Sequence, residues 1–200
     1  TGIFPMTMPK ELRNSVDSWG IEIDEITGLI AKQLFPEFHI LIKGFQDVKF
    51  INPQFDLVIT NVPFGETRLL DSDSNKSYYI HDYFLKKSLS LVRNYGEVAI
   101  ISSTGLLDKR AGNIVKALKD NTDFLGGVRL PDNAFKRIAG TSVTTDVLFF
   151  MRDDNANSNV SDENRMVFIS TPAKSWNDIE PNHIIHKGLV FIGKFIEIIY

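Results

Sequence analysis

The residues with the most chemical promise are Asn61-Val62-Pro63-Phe64-Gly65, which directly follow the apolar run Phe55–Thr60. They present an amide, a proline-stiffened backbone and an aromatic ring together at one strand end. That set suits a planar base carrying an exocyclic amine. Asn61 Oδ1 and the Val62 carbonyl can accept both amine hydrogens and so turn the nitrogen lone pair toward an electrophile. The Phe64 ring can stack on the base, which must first be flipped out if it comes from duplex DNA. Taken alone, the same residues read better as a strand-ending turn, with Asn and Pro as punctuation and Phe64 in the core.

Glu22 adds weight to the chemical reading. It ends a short run, Trp19–Ile23, and a carboxylate there can accept hydrogen bonds from the two hydroxyls of a ribose. The competing role, a charge at a helix N-terminus, suits Asp24 better because Asp24 stands at the cap position. Thr1-Gly2-Ile3-Phe4 has the look of the end of a glycine-rich turn, although a lone glycine proves nothing. The histidines, at 39, 81, 183 and 186, lack metal-ligand spacing apart from the weak His183–His186 pair. No metal is expected, and His81 reads as a helix N-terminal residue.

The elements that must position these groups alternate in type. Trp19–Ile23, Phe38–Ile42, Phe55–Thr60 and Glu97–Ser102 are strand candidates, as are Phe124–Leu130 and Asp146–Met151. Between them, Asp24–Leu34 has helical spacing with Ile26, Leu29, Ile30 and Leu34 on one face. Asp82–Arg93 has Phe84, Leu85, Leu89 and Val92 inward and its lysines outward, and Asn94-Tyr95-Gly96 reads as its stop. A further helix is expected across Asn113–Leu118. This order predicts a mostly parallel sheet with helices on both faces. The last two strands, lacking a helix between them, should pair antiparallel. Ligands of such sheets sit at the carboxyl ends of strands, where Asn61 and Glu22 fall.

The loop from Glu66 to Tyr79 is long and polar and follows the Asn-x-Pro-Phe motif directly. It is placed to close over a base, with Lys76, Tyr78 and Tyr79 near base and phosphate, or else to be a disordered surface loop. Lys109-Arg110 and Lys136-Arg137 are candidate phosphate contacts, although surface charge is the commoner fate of such pairs. Beyond Met151 the chain turns polar, Val167–Ser170 suggests an edge strand, and the apolar tail Gly188–Tyr200 fits neither helical nor strand period cleanly.

Over 200 residues, 43% are hydrophobic and 24% charged, which excludes disordered and fibrous classes. A formal charge of -3 confines any phosphate-binding surface to a local patch. Cysteine is absent, which removes disulfides, thiolate metal sites and a cysteine nucleophile. No apolar run reaches the ~18 residues of a membrane span and no signal peptide opens the chain, so a cytoplasmic setting is expected and no membrane partner.

Taken together, residues Thr1 to Arg152 resemble the amino-group DNA methyltransferases that use S-adenosylmethionine. The likeness is nearest to the adenine-N6 class, which includes the methylation subunits of type I restriction systems and the large methylase–helicase proteins of mobile elements. The family motif of Asn or Asp, Pro, Pro and an aromatic is met by Asn61-Val62-Pro63-Phe64. Val62 replaces the first proline and still offers the backbone carbonyl that the position contributes. Thr1, Gly2 and Phe4 look like the tail of the family's glycine turn, and Glu22 falls on its ribose ligand. Where an acidic residue usually stands near the cofactor adenine, this chain has Gly44-Phe45-Gln46-Asp47, with Phe45 at the carboxylate's place and Gln46 or Asp47 as candidates to substitute for it. Ile80-His81-Asp82-Tyr83-Phe84 resembles the helix that backs the cofactor pocket, and Gly96–Ile101 the fifth strand. The segments Val128–Phe135 and Gly140–Val147 are like the strand-loop-strand of type I subunits.

The resemblance implies a Rossmann-like methyltransferase sheet whose first strand is missing, in a fragment of a longer protein. It implies a catalytic domain over 1–152 and an incomplete extension over 153–200. The implied activity is methyl transfer from S-adenosylmethionine to adenine N6 in DNA, with a helicase or specificity subunit as further partner. Two alternatives stay open: the same chemistry on RNA adenine or a protein glutamine, and a methylase-like recognition or structural module without activity.

Overall fold

The computed structural model describes residues 2–108, 121–131, 134, 144–155, 168–170 and 194–199. Two short helices open it, α1 (Ile3–Thr7) and α2 (Lys10–Arg13), neither of them anticipated by periodicity. They are followed by β1 (Asp17–Glu22), α3 (Glu25–Leu34), β2 (His39–Ile42), a 3₁₀ turn (Phe45–Asp47) and β3 (Phe55–Asn61). A hairpin of β4 (Arg68–Asp71) and β5 (Lys76–Tyr79) leads into α4 (Ile80–Leu91) and β6 (Val92–Ser103). Then come α5 (Gly105–Asp108), β7 (Thr122–Leu130), β8 (Thr145–Arg152), β9 (Phe168–Ser170) and β10 (Lys194–Ile199). The helix expected at residues 113–118 lies outside the described residues.

Eight strands form one sheet in the order β2-β1-β10-β3-β6-β8-β7-β9. From β2 to β6 all neighbours are parallel, and β8 runs antiparallel to both β6 and β7. The expected antiparallel pairing of the last two long strands is met, and β9 adds the edge strand, parallel to β7. No described strand precedes α1. The slot between β1 and β3 is filled by β10 from the apolar tail, with Glu22 opposite Ile199 and Thr60 opposite Ile198. The described part of the tail with no clear period, Lys194–Ile199, is therefore a strand, fixed by neighbours distant in sequence.

The two largest apolar clusters among the described residues pack on the β1–β3 region of the sheet, and a small third one gathers Val128, Leu130 and Ala134. On one face Phe84 and Leu85 of α4 cluster with Ile21, Phe45, Phe55, Val58, Val98 and Ile100. The other face holds Ala31, Phe35, Phe38, Ile40 and Leu57, with Phe4, Met8 and Ile59 packed alongside. Sequence periodicity placed the wrong face of α3 inward. Ile26, Leu29, Ile30 and Leu34 are 70%, 52%, 54% and 62% exposed, and the buried residues of the helix are Gly28 and Ala31. The reason is close approach. A Cβ on Gly28 would stand 2.7 Å from Ile42 Cγ1, so only the small side of the helix fits against β2.

The end of α4 also differs from expectation. It stops at Leu91, and Val92 is already in β6. Residues 93–96 bulge from that strand, because the pairing jumps from Phe55–Val92 to Leu57–Glu97. Tyr95 takes a left-handed φ of 61° there, and a Cβ on Gly96 would meet the Phe55 carbonyl oxygen at 2.9 Å. Asn94-Tyr95-Gly96 is thus a bulge within a strand, not a helix stop.

Candidate active site

The carboxyl edge of the parallel strands gathers the singled-out residues. Glu22 ends β1, the 3₁₀ turn follows β2, and Asn61 ends β3. The register puts Glu22 level with Ile199 and Thr60 level with Ile198, so Glu22 and Asn61 stand two strands apart. That separation is about 10 Å at the usual strand spacing.

Each group is held by local chemistry. Val62 is buried in the α4-side core, and its N–H donates to the Ile101 carbonyl at 2.9 Å, which extends the pairing with β6 past the strand end. Asn61 thereby projects from a fixed backbone. It is exposed, and its amide has no protein partner among the described residues. Pro63 is half-buried, Phe64 is 37% exposed, and Gly65 follows at φ 147°, a region that favours glycine.

Glu22 is buried. One carboxylate oxygen accepts the Asp24 N–H at 2.9 Å, and Asp24 in turn caps α3 by accepting the Thr27 N–H at 2.8 Å. Hydrogen bonding to Thr27 holds the Asp24 carboxyl below its ordinary range. Asp24 is therefore the helix cap that the sequence suggested, and Glu22 stands apart from it at the end of β1.

The 3₁₀ turn explains the missing acidic residue. Phe45 is fully buried against α4, with its ring centroid 5.0 Å from that of Phe84 and 6.3 Å from that of Tyr83. Burying Phe45 leaves Gln46 and Asp47 as the polar groups at this strand end. The Gln46 amide folds over Gly44, where a Cβ would come within 2.3 Å of it, and Nε2 donates to Asp47 at 3.1 Å. Gln46 Oε1 is buried without a hydrogen-bond partner.

These observations fit an S-adenosyl group. The unsatisfied acceptor of Gln46 matches an amine donor such as that of adenine, since leaving it unmet costs about 1–3 kcal/mol. The buried Glu22 carboxylate, with a single donor among the described residues, matches a pair of ribose hydroxyls. Gly2 takes a left-handed φ of 66° at the N-cap of α1, and a Cβ there would stand 3.0 Å from the Phe35 ring. Phe4 packs against the α3-side core. Thr1, the basic pairs 109–110 and 136–137, and His183 with His186 lie outside the described residues.

The segment after the motif is an ordered hairpin, and two of its anchors escaped the sequence reading. Asp71 is buried and accepts from Lys86 Nζ at 2.6 Å, Ser74 Oγ at 2.7 Å and the Asp73 N–H at 3.1 Å. Burial pushes its carboxyl up, but these donors prevail and bring it down to about 2. Arg68 lies 4.4 Å over the Tyr79 ring and donates to the Ser77 carbonyl at 2.9 Å. Tyr79 stacks on the buried His81 with centroids 5.7 Å apart, and the Ile80 N–H donates to the Thr67 carbonyl at 2.9 Å. The turn-forming run Asp71-Ser72-Asp73-Ser74-Asn75 between Leu69-Leu70 and Tyr78-Tyr79 was the available hairpin signal.

Comparison with known proteins agrees with this fold. Residues 31–186 match the model of the N-6 DNA methylase family. The chain belongs to that family. Among solved structures, a Listeria monocytogenes protein assigned to the class I S-adenosylmethionine-dependent methyltransferases is 16% identical with a TM-score of 0.61, over 84% of this chain and 52% of its own. A modification subunit assigned to a type I restriction enzyme of Vibrio vulnificus YJ016 is 19% identical with a TM-score of 0.58, over 74% of this chain and 36% of its own. The M protein of the type I restriction enzyme EcoKI is 18% identical with a TM-score of 0.53, over 76% of this chain and 36% of its own. At such identities the likeness is one of fold, and this N-6 methylase chain spans about half or less of each of those proteins. No curated protein sequence matches it. No helix among the described residues is long and apolar enough to cross a membrane.

Proposed function

We propose that this chain is the catalytic part of an adenine-N6 DNA methyltransferase that uses S-adenosylmethionine. The observation that carries the reading is Asn61, an uncommitted amide on a fixed strand end, two strands from the buried carboxylate of Glu22. Family membership supplies the reaction class.

Glu22, Gln46 and Asp47 would hold the nucleoside end of the cofactor, with Thr1, Gly2 and Phe4 at its other end. When bound, S-adenosylmethionine supplies an electrophilic sulfonium methyl. Asn61 Oδ1 and the Val62 carbonyl accept the two hydrogens of the adenine amine, which keeps its lone pair out of the ring and directed at that methyl. Pro63 stiffens the turn, and Phe64 stacks on the flipped base. The methylated nitrogen then releases its extra proton to solvent, so no general base is required. Orientation is the main source of acceleration in such a site. DNA, as partner, would be gripped in part by regions outside this chain, together with a helicase or specificity subunit, in the cytoplasm. Residues 1–152 would form the catalytic domain and 153–200 an extension that lends strands to its sheet.

Asn61→Ala tests the mechanism. Methyl-label transfer to DNA should fall by roughly 10³-fold, with cofactor affinity within about twofold of wild type because Asn61 reads the base. An active Asn61→Ala protein sinks the mechanism. Label transfer to RNA or protein but not to DNA would replace the acceptor, and no transfer with intact cofactor binding would favour a recognition module.

A further inference from the structure

Lys87 was expected on the outer face of α4, yet its side chain turns inward. Nζ donates to the Phe45 carbonyl at 2.5 Å and to the Val48 carbonyl at 2.8 Å. The same ammonium lies 4.9 Å from the Phe45 ring centroid and 5.8 Å from that of Tyr83. Phe45 and Val48 bracket the 3₁₀ turn that carries Gln46 and Asp47. One cation on α4 therefore closes both ends of that turn.

We infer that Lys87 is a positioning residue that staples the Phe45–Val48 turn to α4 and so sets how tightly the protein holds the adenine end of S-adenosylmethionine. The inference rests on the proposed reading of Gln46 and Asp47 as cofactor contacts. Its physical basis is that a carbonyl pair accepting from a cation is held more firmly than one accepting from a neutral donor. The turn buries a single ring, and its own backbone bonds are few: Asp47 N–H to Gly44 and Val48 N–H to Phe45. The staple thus supplies much of its fixation.

Charge on Lys87 should be titratable in an accessible range. Burial lowers its ammonium to about 8; Asp73, Asp47 and Asp71 pull the other way, and Lys49 lowers it further. The neighbouring Tyr83 phenol, raised by burial and then by Asp71, Asp73 and Asp47 to about 12, stays neutral across that range. Above pH 8 the amine still donates but without its charge, so the grip on the turn loosens.

The test compares the full chain with Lys87→Met and Lys87→Arg, using S-adenosylmethionine binding by calorimetry and amide hydrogen exchange over residues 44–50. Lys87→Met should raise Kd about tenfold, the loss of roughly one charge-assisted bond, and should speed exchange of the turn by a similar factor. Turnover at saturating cofactor should stay within about twofold, a KM effect without a kcat effect. Wild-type Kd should rise severalfold between pH 7 and pH 9.5 while that of Lys87→Met stays flat, and Lys87→Arg should recover part of the affinity. Unchanged affinity and exchange in a folded Lys87→Met protein overturns the staple. Wild-type protein that does not bind S-adenosylmethionine overturns the cofactor reading beneath it, and with it this role of Lys87.

Discussion

Asp71→Asn should destabilise the protein in a way that fades with acid. Asp71 is 4% exposed and receives three hydrogen bonds, one from the Lys86 ammonium at 2.6 Å. Its carboxyl is held at about 2 against an ordinary 3.8. That difference corresponds to about 2 kcal/mol of preference for the folded state. The sign follows from a depressed folded value. At neutral pH the unfolded and folded chains both carry the carboxylate, and the full stabilisation is present. As pH falls below about 4 the unfolded chain takes up the proton first, and the advantage shrinks until, below pH 2, both states are protonated. About half should remain at pH 3. Urea unfolding of wild type and Asp71→Asn at pH 7, 4 and 3 measures this directly, with equal m-values as the condition for comparison. A stability difference that is the same at pH 7 and pH 3 would refute the electrostatic account and leave only hydrogen-bond geometry. A difference under about 0.5 kcal/mol at pH 7 would refute the anchoring role altogether.

Further substitutions probe other parts of the fold. Arg129 and Asp146 are register partners on β7 and β8, joined by bonds of 2.8 and 3.0 Å, with Asp146 fully buried. Arg129→Met should cost about 3–5 kcal/mol in urea unfolding by stranding that carboxylate, and the double change Arg129→Met with Asp146→Leu should recover most of it. Ile26→Lys and Ile30→Lys on the outer face of α3, 70% and 54% exposed, should each shift stability in urea unfolding by less than about 0.5 kcal/mol. A loss of 2 kcal/mol or more would mean that this face is packed.

What the sequence determined by itself was whatever depends on residues close along the chain. The Asp24 cap with Thr27, the long helix through Phe84 and Leu89, and the apolar strand through Val58 are all set by local spacing and turn chemistry. So is the placement of Asn61 at a strand end, because a buried strand must give way to a turn once Pro63 removes a donor. The mostly parallel character of the sheet and the antiparallel pairing of β7 with β8 followed from the alternation of element types.

Tertiary structure decided the rest, wherever two segments compete for one place. Periodicity makes α3 a helix, but the short distance to Ile42 selects its Gly28–Ala31 side and leaves Ile26 and Ile30 outside. An apolar tail with no clean period becomes a strand because β1 and β3 leave a parallel slot between them. Phe45 becomes core rather than ligand because α4 offers Tyr83 and Phe84 to receive its ring, and Lys87 turns inward because two carbonyls wait there. Local sequence sets which conformations are cheap, whereas burial and hydrogen-bond satisfaction are properties of the partner found across space, and only the assembled sheet supplies that partner.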